Sequence, residues 1–323
     1  MSHLTIAYFT SRKEPKLEWF FGSLYRQLAA APIDIGLRIV VVDIWLQAMD
    51  DWTQEMVDAR RAKWTELSAS LGADVVLTAP KPCVWQGPGR LTKENWFAAS
   101  NARNTAICLA PGDWIAFVDD VSVLQPGWLP AVRRAMDTDG YTITLGAYRK
   151  VKDLVVEDGE VKSFTDHPGG HDHRYEHGQD KPVACVGSWM YGCSLVAPVK
   201  AFLDTNGWPE WVDGMSFEDV LEGIALQKKG FMFVYDRTMM TFESEELHAQ
   251  LPVMRRTDKG HSPNDKSHAA LRMQQGGTGW NENYFGAWGI AGLRESVLKG
   301  EPFPQCGIPQ HDWFDKQPIN EMV

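Results

Sequence analysis

Residues 101–129 read NARNTAICLAPGDWIAFVDDVSVLQPGWL, a stretch that combines a helix, a turn, a strand and an acidic strand end. Helical spacing extends over residues 95–109, and a Pro-Gly-Asp turn follows it. The apolar run 114–118 predicts a buried strand, which Asp119 and Asp120 close. Two such carboxylates either bind a cation or simply end the strand, and the rest of the chain is needed to choose between these interpretations.

Upstream of this stretch, short apolar runs alternate with stretches of helical spacing. Runs 4–9, 37–42 and 74–77 predict strands, and residues 17–31 and 54–71 predict the helices between them. This alternation predicts an α/β fold with a parallel sheet and crossover helices. Because ligands bind beyond the carboxyl ends of the strands in such sheets, we expect the polar residues that follow these strands to converge.

The downstream half continues the α/β pattern at wider spacing. Residues 141–148, 183–196 and 231–235 have strand character, and residues 216–229 have helical spacing. A terminal helix is predicted over 281–298.

A polar insertion separates the first two of these strands. Residues 151–181 are rich in Gly, His and Asp and include HPGGHDHRYEHGQDK. This composition predicts a long loop or a hairpin. We expect residues 167–180 to be poorly ordered without an acceptor and to close over the site when one binds, since they offer little to bury.

Composition limits the classes of function. The chain has 323 residues and a formal net charge of −10, which disfavours a protein that grips a nucleic-acid backbone. Apolar runs are all shorter than the roughly 20 residues that span a bilayer, and the N-terminal residues lack a signal-peptide pattern. The five cysteines are scattered and odd in number, as in proteins of a reducing compartment. Together these features predict a cytoplasmic protein without a membrane span.

Several short motifs follow one another along the chain in a defined order. They are Asn101-Ala102-Arg103-Asn104, Ala110-Pro111-Gly112-Asp113, Phe117-Val118-Asp119-Asp120, Pro126-Gly127-Trp128-Leu129, Asn206-Gly207-Trp208-Pro209-Glu210, Phe217-Glu218-Asp219 and Gln227-Lys228-Lys229-Gly230-Phe231. This series resembles the family 2 glycosyltransferases with the GT-A fold, in which an Ala-Arg-Asn helix precedes a Gly-Asp turn, a strand, an acidic metal motif and a Pro-x-Trp-Leu segment. The resemblance extends over residues 4–235.

The resemblance implies a Rossmann-like nucleotide-diphospho-sugar transferase fold, with a mostly parallel sheet, flanking helices and a C-terminal extension. It predicts a catalytic domain over residues 1–240, with a nucleotide-sugar half at 1–125 and an acceptor half at 126–240. The 151–181 insertion belongs to the acceptor half. Residues 241–323 form an extension that closes the site.

The resemblance also gives the acidic motif a role. A sugar nucleotide leaves as a diphosphate, and a divalent ion held by carboxylates neutralises the charge that develops. Asp119 and Asp120 are therefore predicted metal ligands for Mn²⁺ or Mg²⁺. The family pattern is Asp-x-Asp, but its last position here is Val121, which shares a face with Asp119 if strand geometry continues. Asp120 then has to turn inward, or another group has to complete the site, and His248 is the favoured candidate.

The Glu-Asp pair at the start of the 216–229 helix provides the candidate catalytic residues. The resemblance implies that Asp219 is the general base of an inverting transfer and that Glu218 holds the acceptor or orients the base. Acidic residues in a first turn are also simply favourable to the helix dipole.

The remaining site candidates follow strands or surround the acceptor segment. The predicted donor-binding residues are Thr10, Arg12, Asp43, Lys81, Trp85, Arg103 and Asp119. The predicted acceptor-binding residues are Trp189, Tyr191, Trp208 and Trp211. Strand-end charges that are merely solvated, and tryptophans that merely pack in the core, explain part of both sets equally well.

The predicted function is transfer of a sugar from a nucleotide-diphosphate donor, with a uridine preference by resemblance, to a hydroxyl acceptor. The acceptor is left open among a glycan, a small metabolite, a protein and a modified base, and so is the oligomeric state. Two alternatives remain. One is a catalytically silent sugar-binding module, which Val121 favours. The other is a sugar nucleotidyltransferase, which the glycine-free loop at residues 10–15 disfavours.

Overall fold

The computed structural model describes residues 3–32, 35–48, 52–83, 99–170, 172–179, 181–210, 218–249 and 289–304. Trp85 and Trp211 lie outside the described residues, and of His248 only the backbone is described. The strands are β1 (His3–Thr10), β2 (Gly36–Asp43), β3 (Asp74–Thr78), β4 (Trp114–Asp119), β5 (Ser122–Leu124), β6 (Thr142–Glu157), β7 (Glu160–Thr165), β8 (Val183–Cys185), β9 (Ser194–Pro198) and β10 (Met232–Ser244). The helices are α1 (Leu17–Ala30), α2 (Gln54–Ser68), α3 (Ala99–Leu109), α4 (Trp128–Met136), α5 (Val199–Asp204), α6 (Glu218–Lys228), α7 (Glu245–Ala249) and α8 (Gly289–Leu298).

One sheet runs through the described residues in the order β3-β2-β1-β4-β9-β6-β10-β5. Strands β1 to β4 pair in parallel, as do β6 and β10, whereas β9 lies antiparallel between β4 and β6. In this register Phe9 lies beside Asp119, and Thr10 lies beside Asp43. The mixed α/β fold with a mostly parallel sheet is confirmed, and its parallel half brings the polar strand ends to one edge.

Both faces of the sheet are covered, which explains why the central strands are apolar throughout. Leu4, Ile6 and Tyr8 of β1 pack in one buried cluster with residues of α1 and α4. Ala7 and Phe9 point to the opposite face and pack with residues of α3. A strand buried on both faces has no polar side, as expected for a parallel sheet between two helical layers.

The strand predicted over residues 183–196 is divided in the structure. It consists of β8, a short 3₁₀ turn at Gly187–Trp189, and β9. The division has a steric cause at Gly187, where an added Cβ would lie 2.1 Å from the carbonyl oxygen of Gly223 on α6. The chain therefore leaves the sheet to pass against α6 before it re-enters as β9.

The 151–181 insertion forms a hairpin and a compact turn. Strand β6 continues to Glu157 and pairs with β7, and both residues of the connecting turn, Asp158 and Gly159, have positive φ as a type I′ turn requires. Farther along, Asp172 and Arg174 are fully buried. The expectation that the segment offers little to bury is wrong at this point, because the pair packs against the sheet through a hydrogen bond from Arg174 to the Gly146 carbonyl.

Strand β10 passes through residue 240, where the sequence analysis ended the catalytic domain. The sheet therefore extends at least to Ser244, and the predicted C-terminal extension begins no earlier than α7. None of the described helices is long and apolar enough to cross a membrane.

Candidate active site

The acidic motif lies where β4 leaves the sheet. The strand ends at Asp119, and two residues later Val121 has a φ of 53°, which is unfavourable for a β-branched residue. The N–H of Val121 donates to the carbonyl of Pro15 at 3.1 Å, and its side chain is fully buried. Strand geometry does not continue, so the expectation that Val121 shares a face with Asp119 is corrected.

Asp120 turns inward toward β1. The Thr10 hydroxyl donates to Oδ2 of Asp120 at 2.6 Å, and Nε of Arg12 donates to Oδ1 at 3.0 Å. The backbone N–H of Arg12 in turn donates to the Thr10 hydroxyl at 3.0 Å. Three predicted site residues from two parallel strands therefore converge, as the strand-end argument anticipated.

Asp119 lies beside this cluster, and its carboxylate is less constrained by hydrogen bonds than that of Asp120. Its side chain is 33% exposed, and its Oδ1 lies 3.7 Å from Nη2 of Arg103 without forming a hydrogen bond. Burial raises the pKa of Asp119 to about 6, with the Arg103 charge opposing the shift and Asp120 adding to it. Oδ1 is itself buried, whereas the side chain as a whole is partly exposed, so the carboxylate can be reached by a ligand group or a cation.

A third carboxylate, Glu243, was missed by the sequence analysis. It lies on β10 directly across from Ser122 of β5 and from Lys150 of β6, and it is only 3% exposed. Its Oε1 has no hydrogen-bond partner, and burial together with the charge of Asp119 raises its pKa to about 8. The only available sequence signal was an acid close behind Met239, Met240 and Phe242, in a strand whose length was underestimated.

Glu218 and Asp219 are the first two residues of α6, and Glu218 contacts the Arg103 guanidinium that also lies near Asp119. Glu218 is buried and accepts a hydrogen bond from Nη1 of Arg103 at 2.8 Å, whereas Asp219 is half-buried. The N–H of Gly192 approaches Oδ2 of Asp219 at 3.4 Å. Burial, and next the charge of Glu218, raise the pKa of Asp219 to about 7.

Arg103 connects the two carboxylate groups from a buried position. Its side chain is 3% exposed, and its guanidinium lies over the rings of Trp208 at 4.3 Å and Phe9 at 4.7 Å. Trp208 itself is fully buried and stacks on Phe202. The burial of Trp208 corrects one expectation, because its ring supports Arg103 and does not form an acceptor surface. Arg103 contacts protein carboxylates, and its predicted role in donor binding stays a prediction.

Two predicted donor residues are also engaged inside the protein. Both oxygens of the fully buried Asp43 accept hydrogen bonds, with Arg60 at 2.6 Å as the ion-pair partner. The ammonium of Lys81 lies 2.8 Å from Glu210, also fully buried. Both side chains are therefore buried in ion pairs within the protein, and their predicted role in donor binding stays a prediction.

The predicted acceptor residues Trp189 and Tyr191 are partly exposed and close to the Glu-Asp pair. Tyr191 directly precedes Gly192, and its hydroxyl lies 3.1 Å from Nδ1 of His173. The ring of Trp189 lies 5.1 Å from that of His177. Both histidines come from the insertion, which was predicted as a lid and not as part of a fixed surface.

Comparison with known proteins supports the family resemblance. A model of the Glycosyl transferase family 2 family matches residues 90–197, which is a third of the chain. No curated protein sequence matches the chain significantly.

Solved structures support the fold. One is GalNAc-T7 with UDP, GalNAc and Mn²⁺, at a TM-score of 0.55 and 11% identity, covering 94% of this chain and 59% of that one. Another is S. aureus TarS 1-349, at a TM-score of 0.47 and 14% identity, covering 75% of this chain and 60% of that one. This chain thus spans about three fifths of their length. The resemblance to family 2 glycosyltransferases with the GT-A fold is confirmed, with the fold supported by the first of these structures.

Proposed function

We propose that this protein is a glycosyltransferase that moves a sugar from a nucleotide-diphosphate donor, most simply a UDP-sugar, to a hydroxyl acceptor. One observation carries the proposal. A single guanidinium, that of Arg103, lies against both Asp119 of the strand-end motif and Glu218 beside the candidate base. The proposed donor-side and acceptor-side carboxylates thereby lie next to one buried cation, as a transfer between two adjacent substrates needs.

The proposed base is Asp219. With a pKa of about 7 it is substantially ionised at neutral pH yet still able to bind a proton, which suits a general base. In the proposed step the acceptor oxygen attacks the anomeric carbon and its proton passes to a carboxylate oxygen of Asp219. The bond from that carbon to the diphosphate breaks, and the diphosphate leaves with the electron pair. Gly192 orients the base through its N–H, and Arg103 forms an ion pair with Glu218 beside it.

The residues present fit a divalent cation through hard oxygen donors. Asp119 has an oxygen without a hydrogen-bond partner, and Asp120 adjoins it. Among the described residues no three Asp, Glu, His or Cys side chains converge as a metal site. We therefore propose that Asp119 and Asp120 hold Mn²⁺ or Mg²⁺ jointly with the donor diphosphate, with His248 as a further ligand. When bound, the ion supplies charge neutralisation for the leaving group.

Arg12 and Thr10 are proposed to shape the diphosphate side of the site by fixing Asp120. Asp43 and Lys81 are proposed as positioning residues for the donor loops, and Trp85 and Trp211 remain predicted donor and acceptor residues. The uridine preference and the cytoplasmic location likewise remain predictions of the sequence.

The decisive experiment is incubation of the full chain with UDP-glucose, UDP-galactose, UDP-GlcNAc or UDP-GalNAc and Mn²⁺, with UDP release as the signal. The proposal expects slow release to water from at least one donor and its loss in Asp219→Asn. A silent binding module is the second candidate, favoured by the lack of three converging ligands among the described side chains. It would show a donor-induced rise in melting temperature without any UDP release.

A further inference from the structure

Four partly exposed or exposed rings form a continuous surface next to the Glu-Asp pair. We call it the aromatic shelf; its members are His173, His177, Trp189 and Tyr191. The centre of the Trp189 ring lies 5.1 Å from that of His177 and 6.3 Å from that of His173. The ring centres of His173 and Tyr191 lie 5.6 Å apart. The shelf adjoins the proposed base because Tyr191 is followed by Gly192, whose N–H approaches Asp219.

A buried ion pair holds the shelf in place from beneath. The guanidinium of Arg174 binds Asp172 at 2.8 Å and 2.9 Å, and both residues are at most 1% exposed. Arg174 also donates to the carbonyls of Trp189 and Gly146, and lies 4.3 Å from the centre of the Tyr191 ring. A buried charge pair with these additional hydrogen bonds is costly to disrupt, so the shelf is a fixed surface.

The ring geometry selects among ligand classes. A flat nucleobase is best held between two parallel rings, but the ring pairs of the shelf are inclined at 80°, 70° and 43°. Inclined rings do not form such a parallel pair, and the polar atoms of the histidines and of Tyr191 lie beside the partly exposed indole. A pyranose matches this arrangement, because it stacks one apolar C–H face on an aromatic ring while its hydroxyls need lateral hydrogen-bond partners. His173 and Tyr191 provide such polar atoms.

We infer that the aromatic shelf is the acceptor subsite and that its ligand is a sugar ring, stacked on Trp189 and bordered by His173 and His177. The inference rests on the proposed function, since it places the acceptor beside the proposed base. The Arg174 guanidinium is paired with Asp172 beneath the rings, so the shelf does not offer it to an anionic acceptor. The segment 172–177, on this view, contributes recognition directly and does not act as a lid.

The test is saturation-transfer NMR on the full chain with saturating UDP and Mn²⁺, so that the nucleotide site is filled. The probes are methyl β-glucoside, methyl α-mannoside and methyl β-N-acetylglucosaminide, with deoxycytidine and a neutral dipeptide as competing classes. We expect saturation on one C–H face of at least one glycoside. Trp189→Ala and His177→Ala should weaken that binding about 2–10-fold each, the range for one aromatic contact.

Two controls keep the result specific. Trp189→Phe retains a ring and should recover most of the binding, and Tyr25→Ala removes an exposed aromatic on α1 and should change nothing. No saturation of any glycoside, saturation of deoxycytidine instead, or glycoside binding unaffected by Trp189→Ala would each overturn the inference. UDP release by the wild-type chain, measured in parallel, separates this from a failure of the proposed function, which would show as no release at all.

Discussion

Nη1 of Arg103 donates a hydrogen bond of 2.8 Å to Oε1 of Glu218, and the same guanidinium lies 3.7 Å from Asp119. Arg103 and Glu218 are both buried, at 3% and 8% side-chain exposure. The charge of the pair is therefore poorly screened by solvent. Two carboxylates from distant parts of the chain lie next to this one cation, so loss of the Arg103 charge should be costly.

Replacing Arg103 by Met keeps much of the side-chain volume and removes the charge. Because Glu218 and Asp119 are then left without their cation, we expect a loss of about 3–5 kcal/mol in the free energy of unfolding, measured by urea denaturation at pH 7. The control is Arg38→Met, whose partner Asp74 is 55% exposed, with an expected loss below about 1 kcal/mol. Equal losses in the two variants would show that Arg103 has no special electrostatic role.

Replacing either acid of the strand-end motif by asparagine should have a different effect at each position. Asp119→Asn removes a carboxylate whose Oδ1 has no hydrogen-bond partner, so we expect retained stability and loss of Mn²⁺-dependent UDP binding. Asp120→Asn also weakens the contacts with Thr10 and Arg12, so it should additionally destabilise the fold by about 1–3 kcal/mol. Calorimetric titration with UDP, with and without Mn²⁺, and urea denaturation separate the effects. UDP affinity that is independent of Mn²⁺ in the wild type would rule out the proposed metal ligands.

Restoring the family acid at position 121 should not create a better metal site. Val121 is fully buried in a left-handed turn, so Val121→Asp places a carboxylate where solvent does not reach and should cost roughly 3 kcal/mol or more. Mn²⁺ affinity, followed by calorimetry, should not increase. The matched control is Val155→Asp on the hairpin, where the side chain is 43% exposed and the expected change is within about 0.5 kcal/mol. A gain in Mn²⁺ affinity at position 121 would instead show that this side chain can face the motif.

Local patterns predicted the parts of this protein that depend on periodicity. The strands of the parallel half follow from apolar runs, and parallel pairing alone brings Thr10, Asp43 and Asp119 to one edge. What the sequence could not show depends on long-range packing. Glu243 reaches the site only because β10 pairs with both β5 and β6, and neither pairing has a local signal.

Long-range packing also explains why the sequence did not predict the structure of the 151–181 insertion or of the end of β4. A polar run rich in Gly and His suggests a mobile loop, yet one Asp172–Arg174 pair buries its centre through contacts with residues far along the chain. Val121 has no residue preference that announces a left-handed turn, which is stabilised by Pro15 and Tyr8. Distant hydrogen bonds overrode local propensity at both places.

The buried carboxyl of Glu222 should make the stability of the folded protein depend on pH, independently of catalysis. It is fully buried on α6, its Oε1 accepts from the Thr205 hydroxyl at 2.6 Å, and burial raises its pKa from 4.5 to about 8. The folded state therefore retains the proton that the unfolded chain loses above pH 4.5. This contribution to stability is complete below that pH, declines as pH rises, and is lost by about pH 8.

Glu222→Gln keeps the shape and the acceptor for Thr205 but cannot ionise. It should match the wild type near pH 4 and exceed it near pH 9 by up to about 4 kcal/mol, as measured by urea denaturation. Glu66→Gln, on the exposed side of α2, is the control and should show no such divergence. A wild type whose stability does not decline between these pH values would contradict the buried neutral carboxyl.

Catalysis by Asp219 makes a prediction about rate and pH. Asp219→Asn should lower turnover by roughly 10²–10⁴ and leave donor affinity nearly unchanged, because the base acts only in the chemical step. With a pKa of about 7, the wild-type rate should fall as pH drops below neutrality. Glu218→Gln removes a negative neighbour that raises this pKa, so in that variant the acid limb should shift to lower pH. A profile that stays in place in Glu218→Gln would remove Asp219 from the role of base.

The stereochemical outcome tests the same assignment independently of pH. Asp219 lies beside Gly192 and the aromatic shelf, whereas Asp119 lies near the other terminal nitrogen of Arg103 and is proposed to face the leaving diphosphate. A base on the acceptor side and a leaving group opposite imply direct displacement, which inverts the anomeric carbon. A retaining double displacement would instead need a carboxylate acting as a nucleophile, and Asp219, beside the acceptor shelf, is placed to deprotonate the acceptor. NMR of the first-formed product from an α-linked UDP-sugar should therefore show a β-linkage. An α-linked product would mean retention and would remove Asp219 from the role of base in a direct inverting displacement.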